Sequence, residues 1–207
     1  YNEHTNLVAN AEIEVVLKEH ILDSLSLIPV IGVDRLQNAE LVDVGSGAGF
    51  PGIILAIACP SLSVALVESI GKKCLFLEST ADSLGLEKRV QVCRQRAEIL
   101  AHESDFRHTF NLATARAVAS LPIVAELTLP LLKKGGWLLA QRSKRQAIQE
   151  ESDADAYFSK LGGRLLDTIH LTPDLLGREL SVFKVKKESN TSSRYPRTAA
   201  QMKNEKL

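Results

Sequence analysis

41-LVDVGSGAGFPGIILAI-57 joins a short β-branched run to a helix-like apolar run through a cluster of glycines. Two glycine patterns overlap in it. Read from Gly47, GAGFPG fits G-x-G-x-x-G, the pyrophosphate loop of dinucleotide enzymes. Read from Asp43, DVGSGAG fits acid-x-G-x-G-x-G, a loop that holds S-adenosylmethionine (AdoMet). In a dinucleotide fold the first glycine directly follows the strand, where it makes the tight turn into the helix. The glycine that follows LVDV is Gly45, and the third glycine counted from it falls on Phe50. The dinucleotide frame therefore fails, and the AdoMet frame runs from Gly45 through Ser46, Gly47 and Gly49 to Phe50. Pro51 then suits the first helical turn, where a missing N–H costs nothing.

Two acids agree with that frame. Asp43 at the end of the strand repels a pyrophosphate and suits a cationic, sulfonium-bearing ligand. Glu68 ends the next β-like run, 25 residues after Asp43, where a carboxylate accepts from ribose hydroxyls.

Outward from the loop, short strand-like runs at 41–45, 63–68, 89–93, 110–115 and 136–140 alternate with helix-like segments at 51–59, 71–85, 118–132 and 147–162. That alternation predicts βαβ units and a buried parallel sheet. RLLDTIHL 164–171 and ELSVFKVKK 179–187 follow with no helix between them, joined by the Pro/Gly-bearing TPDLLGR, which reads as an antiparallel hairpin at the sheet edge. The expected fold class is α/β: a doubly wound, Rossmann-like, mainly parallel seven-stranded sheet with a C-terminal antiparallel hairpin. A dinucleotide fold would end on a sixth parallel strand instead. Residues 1–30 read as a helical lead-in with apolar positions Ile13, Val16, Leu17, Ile21 and Leu25, truncated at its start since the chain opens on Tyr1. Residues 31–187 form the AdoMet domain and 188–207 a basic, loop-like tail.

Composition narrows the class. With 45% hydrophobic and 24% charged residues the chain reads as a globular domain, and 25 basic against 25 acidic residues give no global basic field. Cys59, Cys74 and Cys93 show no C-x-x-C spacing and read as buried free thiols. The five histidines are scattered without ligand spacing, so no metal is expected. His20, Asp23 and Ser24 lie within one helical turn and read as a helix face or packing network. Basic residues gather at Lys133, Lys134, Arg142, Lys144 and Arg145. They gather again at Lys184, Lys186, Lys187, Arg194, Arg197, Lys203 and Lys206, against only Glu188 and Glu205, with Tyr195 available for base stacking. No run approaches the roughly 18 apolar residues of a membrane span.

DVGSGAGFPG, ESIGKKCLFLE (68–78), RQRAE (94–98) and TARAVASL (114–121), with YNEHTNL and HILDSL upstream, resemble the RsmG family, once called glucose-inhibited division protein B. The resemblance runs through nearly the whole chain. It implies methyl transfer from AdoMet to N7 of a guanine in the decoding-centre loop of small-subunit ribosomal RNA. The substrate is implied as the RNA or the small subunit itself, the protein as a monomer in the bacterial cytoplasm or, in a plant or alga, the plastid stroma. It places the methionine part of AdoMet near Gly45 and Phe50, the adenine near Ala97 and Glu98, and an arginine contact, the one catalytic candidate, at Arg116. Tyr1 stands where the family has Trp, Arg142 where it has Lys after the fifth strand, and the tail beyond RYPR lacks the family's Gly and Pro. Readings left open are a small-molecule or protein methyltransferase, a non-catalytic RNA- or ribosome-binding protein retaining the fold, and, last, an NAD-dependent oxidoreductase.

Overall fold

The computed structural model describes residues 5–171 and 179–204. The turn expected at 172–178, the start at 1–4 and the end at 205–207 lie outside the described residues. Seven strands form one sheet: β1 (Glu40–Val44), β2 (Ser63–Glu68), β3 (Val90–Arg94), β4 (Phe110–Arg116), β5 (Leu132–Ser143), β6 (Gly163–Leu171) and β7 (Leu180–Lys187). Their order is β3-β2-β1-β4-β5-β7-β6, and the first five pair in parallel. The last two are antiparallel to each other, as the sequence predicts, but β7 lies between β5 and β6 and runs against both.

The chain lays β1, β2 and β3 outward, then crosses back to set β4 on the other side of β1. A crevice opens beyond the strand ends wherever the winding reverses in this way. The chain passes from β1 into its helix at Gly45 and leaves β4 at Arg116, so both segments meet at that crevice. Apolar side chains seal the two faces of the sheet. Val42, Ala113, Leu138 and Phe183 pack on one side under the helices Leu121–Thr128 and Lys144–Lys160; Leu41, Leu66, Leu112 and Leu139 pack on the other under Leu27–Ile31, Gly52–Ala58 and Gly71–Ser83.

Four elements depart from the sequence reading, one of them a helix at Ala199–Asn204 in the tail expected to be loop-like. β5 runs to Ser143 because β7 pairs with it from Trp137 onward, so Arg142 lies inside the strand instead of after it. The following helix starts at Lys144, three residues early, because Ser143 and Gln146 form a capping box. The lead-in is built from Ile13–Val16, a π-helical Leu17–Leu22 and Asp23–Leu25. Its expected apolar stripe is not buried: Ile13 is 79% and Leu17 48% exposed, whereas Asp23 and Ser24 face inward. The wider π turn changes the angular spacing of side chains, so a stripe read at ordinary helical spacing loses its phase.

The tail is no free arm. Arg107 donates to the carbonyls of Thr191, Ser192 and Tyr195, and His102 Nε2 pairs with the carbonyl of Pro196. Arg197 grips the buried Glu126 carboxylate through Nε and Nη2. Lys187 is fully buried, with Nζ donating to the Leu161 carbonyl and Thr191 Oγ1, and burial followed by the charge of Arg107 brings its pKa down to about 7. These bonds draw residues 188–198 back onto the domain.

Candidate active site

The loop after β1 turns on three glycines with positive φ: Gly45 at +72°, Gly47 at +57° and Gly49 at +91°. The left-handed region is costly for side-chain-bearing residues, so the spacing G-x-G-x-G is a backbone requirement. Gly45 meets a second one: a Cβ there would stand 2.6 Å from Val118 Cγ2. The N–H groups of Gly45 and Ser46 donate to the Val67 carbonyl at 2.9 and 3.2 Å, which ties the loop to β2.

Glu68, at the end of β2, is 7% exposed. Its Oε2 accepts from Gly47 N at 3.1 Å, and its Oε1 accepts from Ser69 N and Ile70 N, both at 2.8 Å. The carboxylate is thereby fixed in one orientation at the wall of a groove of about 100 Å³. That groove runs between Gly45, Ala97, Glu98, Val67, Val118 and Leu127. Its lining sets apolar Val67, Val118 and Leu127 beside the acids Glu68 and Glu98, apolar surface for a ring next to acceptors for hydroxyls. Gly45, Glu68, Ala97 and Glu98 therefore come together around one groove, and Gly47 is tied to it through its bond to Glu68.

Two residues of the loop motif serve from below. Asp43 does not address the ligand directly, as the sequence suggested: it is 1% exposed, with Oδ2 accepting from Gly52 N at 3.2 Å and Oδ1 from Thr114 Oγ1 at 2.8 Å. A carboxylate at the end of β1 lies under the start of the next helix, whose orphan N–H groups it satisfies. Ser46 likewise is buried, its Oγ turned to the Asp43 carbonyl at 2.8 Å.

Burial raises the Asp43 pKa to about 6, against the lowering effects of Thr114, Gly52 and the charge of Arg116. Between about pH 4 and 6 the folded carboxyl keeps a proton that the unfolded chain has released, so its contribution to stability falls as pH rises through that window. The stability of the wild-type chain relative to Asp43→Asn is expected to drop by about 2.5 kcal/mol from pH 4 to 7, read from urea unfolding at each pH. A pH-independent difference would show that Asp43 ionises normally.

On the other flank, Arg116 ends β4. Its Nη1 donates to the Glu19 carbonyl at 3.1 Å, Nη2 lies 3.3 Å from His20 Nδ1, and Asp23 Oδ2 is 3.7 Å away. His20 stacks on Phe50 with centroids 5.1 Å apart, and the guanidinium stands 5.4 Å from the same ring. His20 and Asp23 are thus the packing network expected of them, and that network joins the lead-in to the glycine loop. A second cavity, about 550 Å³, opens beside it, lined by His20, Arg116, Val118, Gln141, Gln146 and Glu179 among others. Val118 lines both this cavity and the groove, standing against Gly45 as a wall common to the two. Sequence reasoning passed over Val118 and Gln141; TARAVASL carried the first, and nothing in the chain's pattern singles out the second.

The expected RNA-facing residues separate into two groups. Lys133, Lys134, Arg145 and Arg194 are exposed, and Lys144 is half-buried beside Glu179 at 2.5 Å. Arg142 is withdrawn: 4% exposed, it donates from Nε to Glu150 Oε2 at 3.0 Å and from Nη2 to the Ala119 carbonyl, bracing the cavity from behind. Tyr195 is 5% exposed under Arg194 and Arg197, which removes it from base stacking, and Arg197 is committed to Glu126.

A doubly wound sheet ending in an inserted antiparallel strand, with this loop and this acid at its crevice, defines an AdoMet-dependent methyltransferase. The fold is shared with a SAM-dependent O-methyltransferase from Thermotoga maritima (TM-score 0.60, 16% identity, 83% of this chain and 66% of that one) and a geranyl diphosphate methyltransferase solved with SAM (0.59, 12%, 81% and 85%). The family model of GidB, rRNA small subunit methyltransferase G, matches residues 1–171, and the chain belongs to that family. Proteins named ribosomal RNA small subunit methyltransferase G are similar over most of their length. The one from Desulfitobacterium hafniense is 38% identical over 96% of this chain and 80% of its own, and that from Streptococcus sanguinis 39% over 96% and 82%.

Proposed function

We propose that this chain transfers a methyl group from AdoMet to N7 of a guanine in the decoding-centre loop of small-subunit ribosomal RNA. The observation that carries the reading is the pairing of two spaces across Val118. A groove bordered by the glycine loop, Glu68 and Glu98 lies on one side and a larger cavity beside the arginine that ends β4 on the other. When bound, AdoMet supplies a methyl group on a sulfonium. Gly45 and Gly47 let backbone approach it, Glu68 takes its ribose, and Ala97 with Glu98 border its adenine.

Guanine N7 carries a free lone pair, so the acceptor loses no proton and no general base is required. What the chain must do is align the acceptor and exclude water, and alignment of this kind supplies about 7–11 kcal/mol in well-ordered cases. N7 and O6 stand side by side on the guanine edge, both acceptors. Arg116, its charge balanced by Asp23, holds the segment that walls the acceptor cavity through Glu19 and His20 and so shapes the place where that edge must dock. Among the described residues no helix is long and apolar enough to cross a membrane.

The test is transfer of labelled methyl to small-subunit RNA lacking the modification, offered naked and as assembled subunits. Label recovered as 7-methylguanine is the expected result, and the better acceptor of the two identifies the physiological form. Intact AdoMet binding with no label in either would sink the reading.

A further inference from the structure

Lys184 and Lys186 of β7 lie on the same face as Trp137 of β5, partly exposed, and Lys133 and Lys134 stand exposed at the start of β5. Helix Lys144–Lys160 covers the opposite face of β6 and β7, where Phe158 meets Phe183. On the near face the strands carry Trp137, Lys184 and Lys186, with Trp137 and Lys186 paired across β5 and β7. Helix Val33–Leu36 brings in Arg35, whose Cζ lies 3.7 Å from the Trp137 ring centroid and whose Nη1 reaches the Gly135 carbonyl at 3.4 Å. Lys184 Nζ lies 4.1 Å from the same ring and donates to the Val30 carbonyl at 2.9 Å. Lys133 and Lys134 stand exposed in β5 just before Gly135, whose carbonyl Arg35 bonds.

Two cations are therefore held against one indole. The acids nearby are Asp167, across from Lys184, Glu188, taken by Arg164 at 2.7 Å, and Asp34 next to Arg35 in the chain. Burial, followed by the charge of Arg35, lowers the Lys184 pKa, with Asp167 opposing. An anion arriving here would relieve that repulsion. The patch begins four residues back along β5 from Gln141 in the acceptor cavity, a reach of about 13 Å.

We propose that Arg35, Lys134, Lys184 and Lys186, gathered around Trp137, form a docking surface for the ribose-phosphate backbone of the substrate RNA, away from the nucleotide being methylated. This rests on the RNA reading above. The indole face already covered by Arg35 makes the surface a phosphate reader and not a base stacker, so it contributes affinity and register without sequence preference. Charge complementarity identifies the occupant: RNA presents a dense line of anions, and each neutralised phosphate releases counterions.

The experiment compares the full chain with the Lys134→Gln/Lys186→Gln double variant and, separately, Lys184→Gln. Binding to naked small-subunit RNA is measured by filter retention across a salt series, apart from methyl transfer. For the double variant the slope of log affinity against log salt is expected to fall by about 1.5, with binding about tenfold weaker near 0.1 M salt. AdoMet affinity and the methylation rate at saturating RNA should be unchanged. An unaltered slope in both variants overturns the proposal; measured in parallel on assembled subunits, weakening confined to those overturns it too and would mark a protein partner. Wild-type binding without methyl transfer would instead count against the functional reading alone.

Discussion

Replacing Glu68 by alanine is expected to weaken AdoMet binding by about 100-fold or more, measured by titration calorimetry. The carboxylate does two things at once. Inside the protein it accepts from three backbone N–H groups, those of Gly47, Ser69 and Ile70, and so fixes both the glycine loop and the turn after β2. At the groove wall it is placed to receive the ribose. A hydrogen bond to a charged acceptor is worth about 1.5–3 kcal/mol, and one lost from the bound state together with the released glycine loop accounts for the stated factor. Glu68→Gln, which retains one acceptor oxygen, should fall between wild type and alanine. Affinity within threefold of wild type in the alanine variant would show that the groove does not hold AdoMet in this way.

Arg116→Ala should lower the single-turnover methylation rate about 100-fold with AdoMet and RNA both saturating, while the AdoMet dissociation constant moves only a few-fold. The guanidinium joins Glu19, His20 and Asp23 of the lead-in to the rim of β4. Without it the helix segment that walls the acceptor cavity loses its tie to the sheet, and the His20–Phe50 stack loses its neighbour. Lysine should not restore the rate, because one ammonium cannot repeat a planar fork that bonds a carbonyl and an imidazole together. A rate within threefold of wild type would remove Arg116 from the positioning of the acceptor.

The glycine loop was legible because its requirement is local: positive φ at alternating positions admits little but glycine, and the strand before it sets the frame. The parallel sheet was legible from its alternation with helices. Partnerships across the fold were not. Arg142 sits in a basic run and reads as surface, yet its partner Glu150 is brought back to it by two turns of the next helix. Arg197 reads as a free tail cation, yet Glu126, which grips it, lies 71 residues earlier. Asp43 looks the same in a sequence whether it faces a ligand or a helix start; only the descent of Gly52 onto it decides, with room for no Cβ between. The lead-in misled through its π turn, which no side chain announces.

The place of β7 bears on how the molecule is made. It is the last strand synthesised, yet it lies between β5 and β6, bonded to both along most of its length. Until residue 187 has left the ribosome, two strand edges stand open, one of them bordering the acceptor cavity. A nascent chain at that stage carries the cofactor loop complete and the acceptor wall unfinished, with edges of the kind that invite mispairing. The enzyme's two halves therefore mature in order: cofactor side first, RNA side only once β7 has emerged.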